Sequence, residues 1–341
     1  MIRQIKVGMI GLGSVSRAHL YAISELPQAK LTAVCDIDPG AMDVIKDADV
    51  KRYTDYRQLL ADPDVELVHI LTPHFLHAQM AIDALDAAKH VILEKPMASE
   101  LGDARRLIEA ADKAGTTLSV IFQNRYNAST CELKRIIDSG SCGKLIGARA
   151  VICWSRPPKY YTDSPWRGSW KTEGGGALIN QSIHTLDLLS YLGGPIAKVK
   201  GHISTDLLAG TIEVEDNAHA VFEYSCGAKG VIFASTNYVT DAPILLEMVF
   251  ENTTYQLCAD KLFRIVDGVP ELVLRDDGGK TVDGKSYWGT SHKVEIDKIY
   301  RAILGGKQFE IDARSAYPAL ELVKGIYESS LTGEWYKLTT P

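Results

Sequence analysis

The sequence has no C-x-x-C pair, no apolar run long enough to span a bilayer, no basic cluster and no repeated or low-complexity segment. Each absence removes a class of function. The six cysteines (Cys35, Cys131, Cys142, Cys153, Cys226 and Cys258) are scattered, which argues against a zinc site, a redox dithiol or a disulfide framework. Free thiols fit a reducing compartment, so the expected location is cytoplasmic. The first residues, MIRQIKVGMIGLG, enter a strand pattern at once and show no apolar signal region or cleavage site. A formal net charge of −6 offers no surface for nucleic acid or an anionic membrane. What remains is a chain of 341 residues, 46% hydrophobic and 23% charged, long enough for two domains with separate cores.

The first third alternates β-branched runs with helical patterns. IKVGMIG, KLTAVCD, ELVHILT, HVILEK and TLSVIFQN read as strands, with helices at about 15–26, 75–88 and 101–114, a short helix after Pro39 and a weak strand at 51–53. This alternation predicts an α/β fold built on a parallel sheet with helices on both faces. After residue 124 the pattern changes to strands separated by turn residues: GARAVICW, AKVKGHIS, DNAHAVFEY, AKGVIFASTNY, ILLEMVFE, TTYQLCA and LFRIV. They predict a largely antiparallel sheet, accompanied by helices at about 129–139, 174–192, 292–304 and 315–332. The expected division is a dinucleotide-binding domain over 1–124 and a second α/β domain over 125–341.

The chemistry begins at GMIGLGSVS. Gly11-x-Gly13-x-x-Ser16 follows a strand and opens a helix, with Ser14 and Val15 in the turn. The first glycine permits a tight turn, the second lets a pyrophosphate approach the backbone, and the helix N-terminus faces the phosphates. Asp36, at the end of the second strand, is placed to hydrogen-bond adenosine ribose hydroxyls and repel a 2′-phosphate, which predicts NAD over NADP. Thr72-Pro73-His74 with His77, then Glu94-Lys95-Pro96, then Asn124, follow the later strands. Ligands of such sheets bind at the carboxyl ends of the strands, so these residues are expected to face the cofactor. Lys95 is assigned a catalytic role beside the nicotinamide. No metal is expected, because His74 and His77 have no carboxylate or thiol spaced to join them.

GGGALINQSIHTLDLL, at 174–189, is a leucine-rich helical pattern interrupted by Asn180, His184 and Asp187. Residues four apart share a helical face, so Asn180 and His184 point together and Asp187 is read as structural. The glycines are expected to admit a ligand close to the backbone. His184 is the candidate base for alcohol oxidation with Lys95 stabilising the alkoxide; the reverse assignment, with Lys95 as base, stays open. In WSRPPKYYTDSPWRGSW, at 154–170, aromatic faces suit sugar rings, and Arg156 or Arg167 suits a carboxylate or phosphate. Tyr161, Trp166 and Arg167, with Asn180, His184, Lys95 and His292, are the expected substrate contacts.

These motifs together resemble the glucose–fructose oxidoreductase and inositol dehydrogenase family (Gfo/Idh/MocA). The resemblance rests on the glycine turn, TPHFLH at 72–77, EKP at 94–96, GGGALINQSIH at 174–184 and VEDNA at 214–218. It implies a Rossmann domain followed by an open-sheet α/β domain, a nicotinamide cofactor, and a sugar, inositol or related polyol as substrate. It also implies that Lys95 and His184 flank the reacting carbon and that the chain forms a homodimer or homotetramer through the open sheet. One departure stands out: many dehydrogenases of the family carry Asp where this chain has Asn180, so His184, lacking a carboxylate neighbour, should stay neutral to lower pH. An NAD-dependent glycosidase and a non-catalytic NAD-sensing regulator are the alternatives on the same fold.

Overall fold

The computed structural model of the protein describes residues 3–275 and 291–339. The chain forms two compact units, one made of Met1–Phe122 with His292–Ala316 and the other of Gln123–Ser291 with Tyr317–Pro341.

The first unit is built on a six-stranded sheet. Its strands are β1 (Ile5–Ile10), β2 (Ala29–Cys35), β3 (Lys51–Tyr53), β4 (Leu67–Ile70), β5 (His90–Leu93) and β6 (Leu118–Val120). They lie in the order β3-β2-β1-β4-β5-β6, and all pairs are parallel. The connections run through α1 (Ser16–Glu25), α2 (Tyr56–Ala61), α3 (His74–Asp86) and α4 (Leu101–Lys113). β4 and β6 are buried throughout, as strands covered on both faces must be. α4 shows the local logic of these helices: Ala104, Leu107 and Ile108 form its buried stripe, Asp103 sits in the first turn and Lys113 in the last, matching the helix dipole. The strand order reverses between β1 and β4, and the crevice at such a switch point is where a dinucleotide binds.

The helix His292–Leu304 (α8) also belongs to this unit and packs on α1. The division falls after Phe122, close to the expected 124, but the first unit also takes in 292–316, which the expected division left in the second. The chain returns to the first unit late, because Ile296, Ile299 and Tyr300 are buried there. Sequence order hides such a return.

The second unit holds a nine-stranded sheet. It contains β7 (Leu145–Cys153), β8 (Ile196–Ser204), β9 (Asn217–Tyr224), β10 (Lys229–Ser235), β11 (Leu245–Phe250), β12 (Thr254–Cys258), β13 (Lys261–Val266), β14 (Val269–Arg275) and β15 (Tyr336–Lys337). The order is β14-β13-β12-β11-β7-β10-β9-β8-β15, antiparallel except for the central β7–β10 pair. Alternation along β9 and β10 buries one face and leaves Val221, Val231 and Phe233 exposed on the other. The helices are α5 (Ala128–Asp138), α6 (Pro158–Thr162), α7 (Ile183–Gly193) and the last helix, α9 (Ala313–Thr332), which crosses the unit boundary. Both α5 and α7 pack on this sheet.

Candidate active site

The glycine turn is shaped as its sequence demands. Gly11 has φ +93°, and a Cβ there would stand 2.8 Å from the Leu71 carbonyl oxygen. Any side chain is excluded by conformation and by space. Gly13 is different: among the described residues, a Cβ would meet no atom within 4 Å. Its smallness serves nothing in the protein, which is what a cradle for an approaching phosphate requires. No side chain caps α1, and its first turn carries no acidic residue, so its dipole favours an anion. Ser16 is buried and donates its hydroxyl to the Gly13 carbonyl at 2.6 Å, bracing the turn.

Asp36 follows β2. One carboxylate oxygen accepts the Leu12 N–H at 2.8 Å and the other the Asp38 N–H at 2.9 Å. The carboxylate thus ties the glycine turn to the end of β2, and its two oxygens keep further acceptor capacity for ribose hydroxyls. Thr72 and Pro73 are half-buried at the end of β4. His77 is buried, with Nδ1 2.7 Å from the Pro96 carbonyl and Nε2 2.7 Å from that of Thr72. Both turns thus converge on His77, and burial lowers its pKa. His74 is buried beside it, ring centroids 5.7 Å apart.

Glu94 is the centre of a buried network that the sequence did not reveal. His19 Nε2 lies 3.0 Å and His292 Nε2 3.4 Å from Glu94 Oε1, and the Lys95 N–H donates to Oε2 at 3.2 Å. His19 Nδ1 meets His69 Nδ1 at 2.7 Å, and His69 Nε2 meets the Tyr300 hydroxyl at 2.8 Å. These contacts fix the protons. Its histidine partners hold the Glu94 carboxyl well below the usual range against the cost of burial, so Glu94 only accepts. His19 then donates from Nε2 and accepts at Nδ1 from His69, and His69 accepts from Tyr300. Both rings are neutral, in keeping with the lowering of their pKa values by burial. His19 Nε2, Glu94 and His292 Nε2 lie within 4.8 Å of one another and could ligate a metal, but the hydrogen bonds already account for each atom. His292, expected at the substrate, is directed at Glu94 instead.

Lys95 stands out by exposure. Among residues 91–99 it alone is not buried.

The segment from Glu173 onward repeats that pattern in the second unit. From 173 to 189 every residue is buried except Asn180 and His184. The helix is not the uniform one expected. Ala177–Ser182 forms a π-helical turn that leads into α7, with the Ser182 hydroxyl donating to the Ala177 carbonyl. Such turns recur at functional sites. The expected role of the glycines needs correction as well. A Cβ on Gly175 would stand 2.0 Å from the Tyr327 hydroxyl, and one on Gly176 2.0 Å from the Glu215 carbonyl oxygen. The close approach is made by the protein, not a ligand. Glu215, from VEDNA, accepts the N–H groups of Gly176 and Leu178 and the Tyr327 hydroxyl, and so locks the turn. Asp187 accepts both arms of Arg125, at 2.7 and 2.5 Å, the structural role expected of it.

The aromatic loop sorts its residues clearly. Tyr161 is only 3% exposed and packs with Leu208, Ile212 and Val214, so it is core rather than a substrate contact. Arg156 is neutralised by Asp241 at 2.9 Å. The Arg167 guanidinium lies 4.1 Å from the centroid of the half-buried Tyr160 ring and 5.2 Å from that of Trp166. Asn124 is buried and lines a cavity of about 230 Å³ within the second unit, with Asn127, Thr130, Thr185 and Lys261.

One residue was missed altogether. Glu173 is fully buried, accepts the Asn180 side-chain N–H at 2.6 Å and the Gly168 backbone N–H at 2.5 Å, and burial pushes its pKa up to about 7. In the sequence it is one acid beside a glycine run, with no periodicity to mark it.

Comparison with known proteins identifies the family. Residues 5–122 match the model of an oxidoreductase family with an NAD-binding Rossmann fold, and residues 130–256 match the GFO/IDH/MocA C-terminal domain. The chain belongs to the Gfo/Idh/MocA family. Its first unit carries the family's NAD-binding Rossmann domain. The chain is 32% identical over 196 residues to the uncharacterized oxidoreductase YrbE of Bacillus subtilis (strain 168), covering 57% of this chain and 55% of that one. It is 33% identical over 195 residues to the inositol 2-dehydrogenase of Salmonella typhimurium (strain LT2), covering 55% and 54%. These alignments thus span little more than half of each relative's length. The crystal structure of the WlbA dehydrogenase from Bordetella pertussis, in complex with NADH and UDP-GlcNAcA, matches with a TM-score of 0.87 and 28% identity over 99% of this chain and 100% of that one.

Proposed function

We propose that the protein is an NAD-dependent dehydrogenase that transfers a hydride between a secondary alcohol of a sugar, inositol or related polyol and nicotinamide. One observation carries this reading: the chemically capable residues Lys95, Asn180 and His184 are the ones left partly exposed in stretches otherwise buried. Such stretches are core, and a core does not select Lys, Asn and His for exposure. The substrate class is supported by the relatives, one named inositol 2-dehydrogenase and one crystallised with a sugar nucleotide.

Bound NAD supplies the hydride acceptor. The residues must do the rest. The glycine turn and the N-terminus of α1 bind the pyrophosphate, and Asp36 holds the ribose and disfavours a 2′-phosphate. The hydroxyl proton must leave as the hydride does. Either His184 takes it while the Lys95 ammonium stabilises the alkoxide, or Lys95 is itself the base. Asn180 orients the hydroxyl. Arg167, stacked on Tyr160, is the residue suited to an acidic group on the sugar. The exposed apolar face of β9 and β10 supports a homodimer or homotetramer, which sedimentation measurements test.

The test of activity is nicotinamide absorbance with NAD against inositols, aldoses, uronic acids and sugar phosphates, with Lys95→Met in parallel. The expected outcome is turnover on one class, at least a hundredfold lower in the variant, the usual scale of a lost acid–base group. NAD binding without net NADH on any member would displace this reading in favour of transient oxidation or sensing.

A further inference from the structure

Asn180 is one of two partly exposed residues between 173 and 189, and a buried carboxyl, that of Glu173, lies 2.6 Å from its amide nitrogen. We propose that Glu173 is a positioning residue that sets which way the Asn180 amide faces, and so whether the site offers a hydrogen-bond acceptor or a donor to the substrate oxygen. This deepens the dehydrogenase reading and rests on it for the role of Asn180.

The argument runs through the hydrogen bonds. Glu173 Oε2 accepts the Gly168 N–H at 2.5 Å, and a backbone donor cannot reverse its role. The contact at Oε2 therefore favours a proton on Oε1, the oxygen 2.6 Å from Asn180 Nδ2. With Glu173 ionised, Nδ2 donates to it, and Oδ1 lies on the opposite branch of the amide as an acceptor. That suits a neighbouring substrate hydroxyl, which can donate to it while the reacting hydroxyl gives its proton to Lys95 or His184. With Glu173 protonated, Oε1–H donates, and the amide must turn over to accept it through Oδ1. Nδ2 then lies on the outer branch as a donor, which suits a ketone or an alkoxide. The Tyr160 hydroxyl, 3.4 Å from Nδ2, permits the turn, since it accepts from an amide N–H or donates to an amide oxygen.

Glu215 and the buried hydroxyls of Tyr160, Tyr161 and Tyr327 are near Glu173, and Arg167 is the cation that favours its ionised form. Burial outweighs Arg167, and the ionisation falls close to 7, within the working range of an enzyme. The proton stays on Glu173 and takes no part in the net reaction; the substrate hydroxyl proton leaves through Lys95 or His184.

The test needs no substrate. Protein labelled with ¹⁵N at asparagine is titrated from about pH 5 to 9, and the Asn180 side-chain NH₂ signals are assigned by their loss in Asn180→Ala. The expected result is a shift of that pair with a midpoint close to 7. The shift should vanish in Glu173→Gln; if that variant does not fold, the wild-type titration decides alone. Signals that do not move across this range, or that move alike in Glu173→Gln, overturn the proposal. The dehydrogenase reading fails separately, by absence of turnover on the substrate panel, whatever the spectra show.

Discussion

At the scale of single residues, glycines look alike in the sequence and do opposite work. Gly13 keeps space clear for something outside the chain, and Gly176 yields it to the chain's own backbone. The contrast gives a test of the cofactor site that is independent of turnover. Gly13→Ala should leave the melting temperature nearly unchanged, because its Cβ meets no atom of the described residues, while weakening NADH binding in a fluorescence titration. Gly176→Ala should do the reverse. Its Cβ would stand 2.0 Å from the Glu215 carbonyl oxygen, and relieving such a clash costs about 1–3 kcal/mol or more in a packed interior. If both variants lose NADH binding and stability in equal measure, the cradle argument for Gly13 does not hold. Glu173 and Asn180 add a further lesson: a residue type is not a charge. Asn180 carries none, yet its contact at 2.6 Å is a carboxyl poised near neutrality.

At the scale of elements, the buried chain through α1, β4, β5 and α8 carries the strongest prediction. Tyr300, His69, His19 and Glu94 satisfy one another in a fixed order. Removing the middle member leaves a buried ring donor on His69 and strips a donor from an ionised carboxylate. His19→Ala should therefore destabilise the first unit by about 1–3 kcal/mol. The reading is the urea midpoint with and without NAD. An unchanged midpoint would show the chain to be dispensable. How much of this was legible in the sequence follows from the kind of signal each element leaves. β1, β2, β4 and β5 announce themselves as apolar β-branched runs, and the helices between them by their period. α2 (Tyr56–Ala61), β14 and β15 were missed, being short or exposed and so without a clear pattern. The π-helical turn at Ala177–Ser182 leaves none, because one extra residue per turn does not disturb a stretch that is buried all round. Glu94 was legible by motif, but its partners His19 and His292, and His69 behind His19, lie 75, 198 and 25 residues away in the sequence, and no spacing rule links them.

At the scale of the whole molecule, the two units should answer acid in opposite directions. In the first unit, burial lowers the pKa values of His19, His69, His77 and His90 below the ordinary 6.5. The unfolded chain takes up protons near 6.5 that the folded unit refuses, so the stability of this unit is complete above that pH and falls below it. Glu94, held ionised well below 4.5, adds a further loss at lower pH still. In the second unit Glu173 works the other way. Its folded pKa of about 7 lies above the ordinary 4.5, so the folded state binds a proton that the unfolded chain releases. The stabilisation is present at pH 4.5 and is lost as pH rises through 7, an amount of about 3 kcal/mol for a shift of that size. Going from pH 8 to 5.5 should weaken the first unit and strengthen the second. Hydrogen exchange followed peptide by peptide, corrected for the intrinsic rate, reads both at once. Protection should fall across β1, β4 and α3 while it holds or rises across α7 and β9, and Glu173→Gln should flatten the second trend alone. Parallel loss of protection in both units would mean that these buried groups do not set the acid response. A divergent response would identify the dinucleotide-binding unit as the part that fails first in acid, before the unit carrying Asn180 and His184.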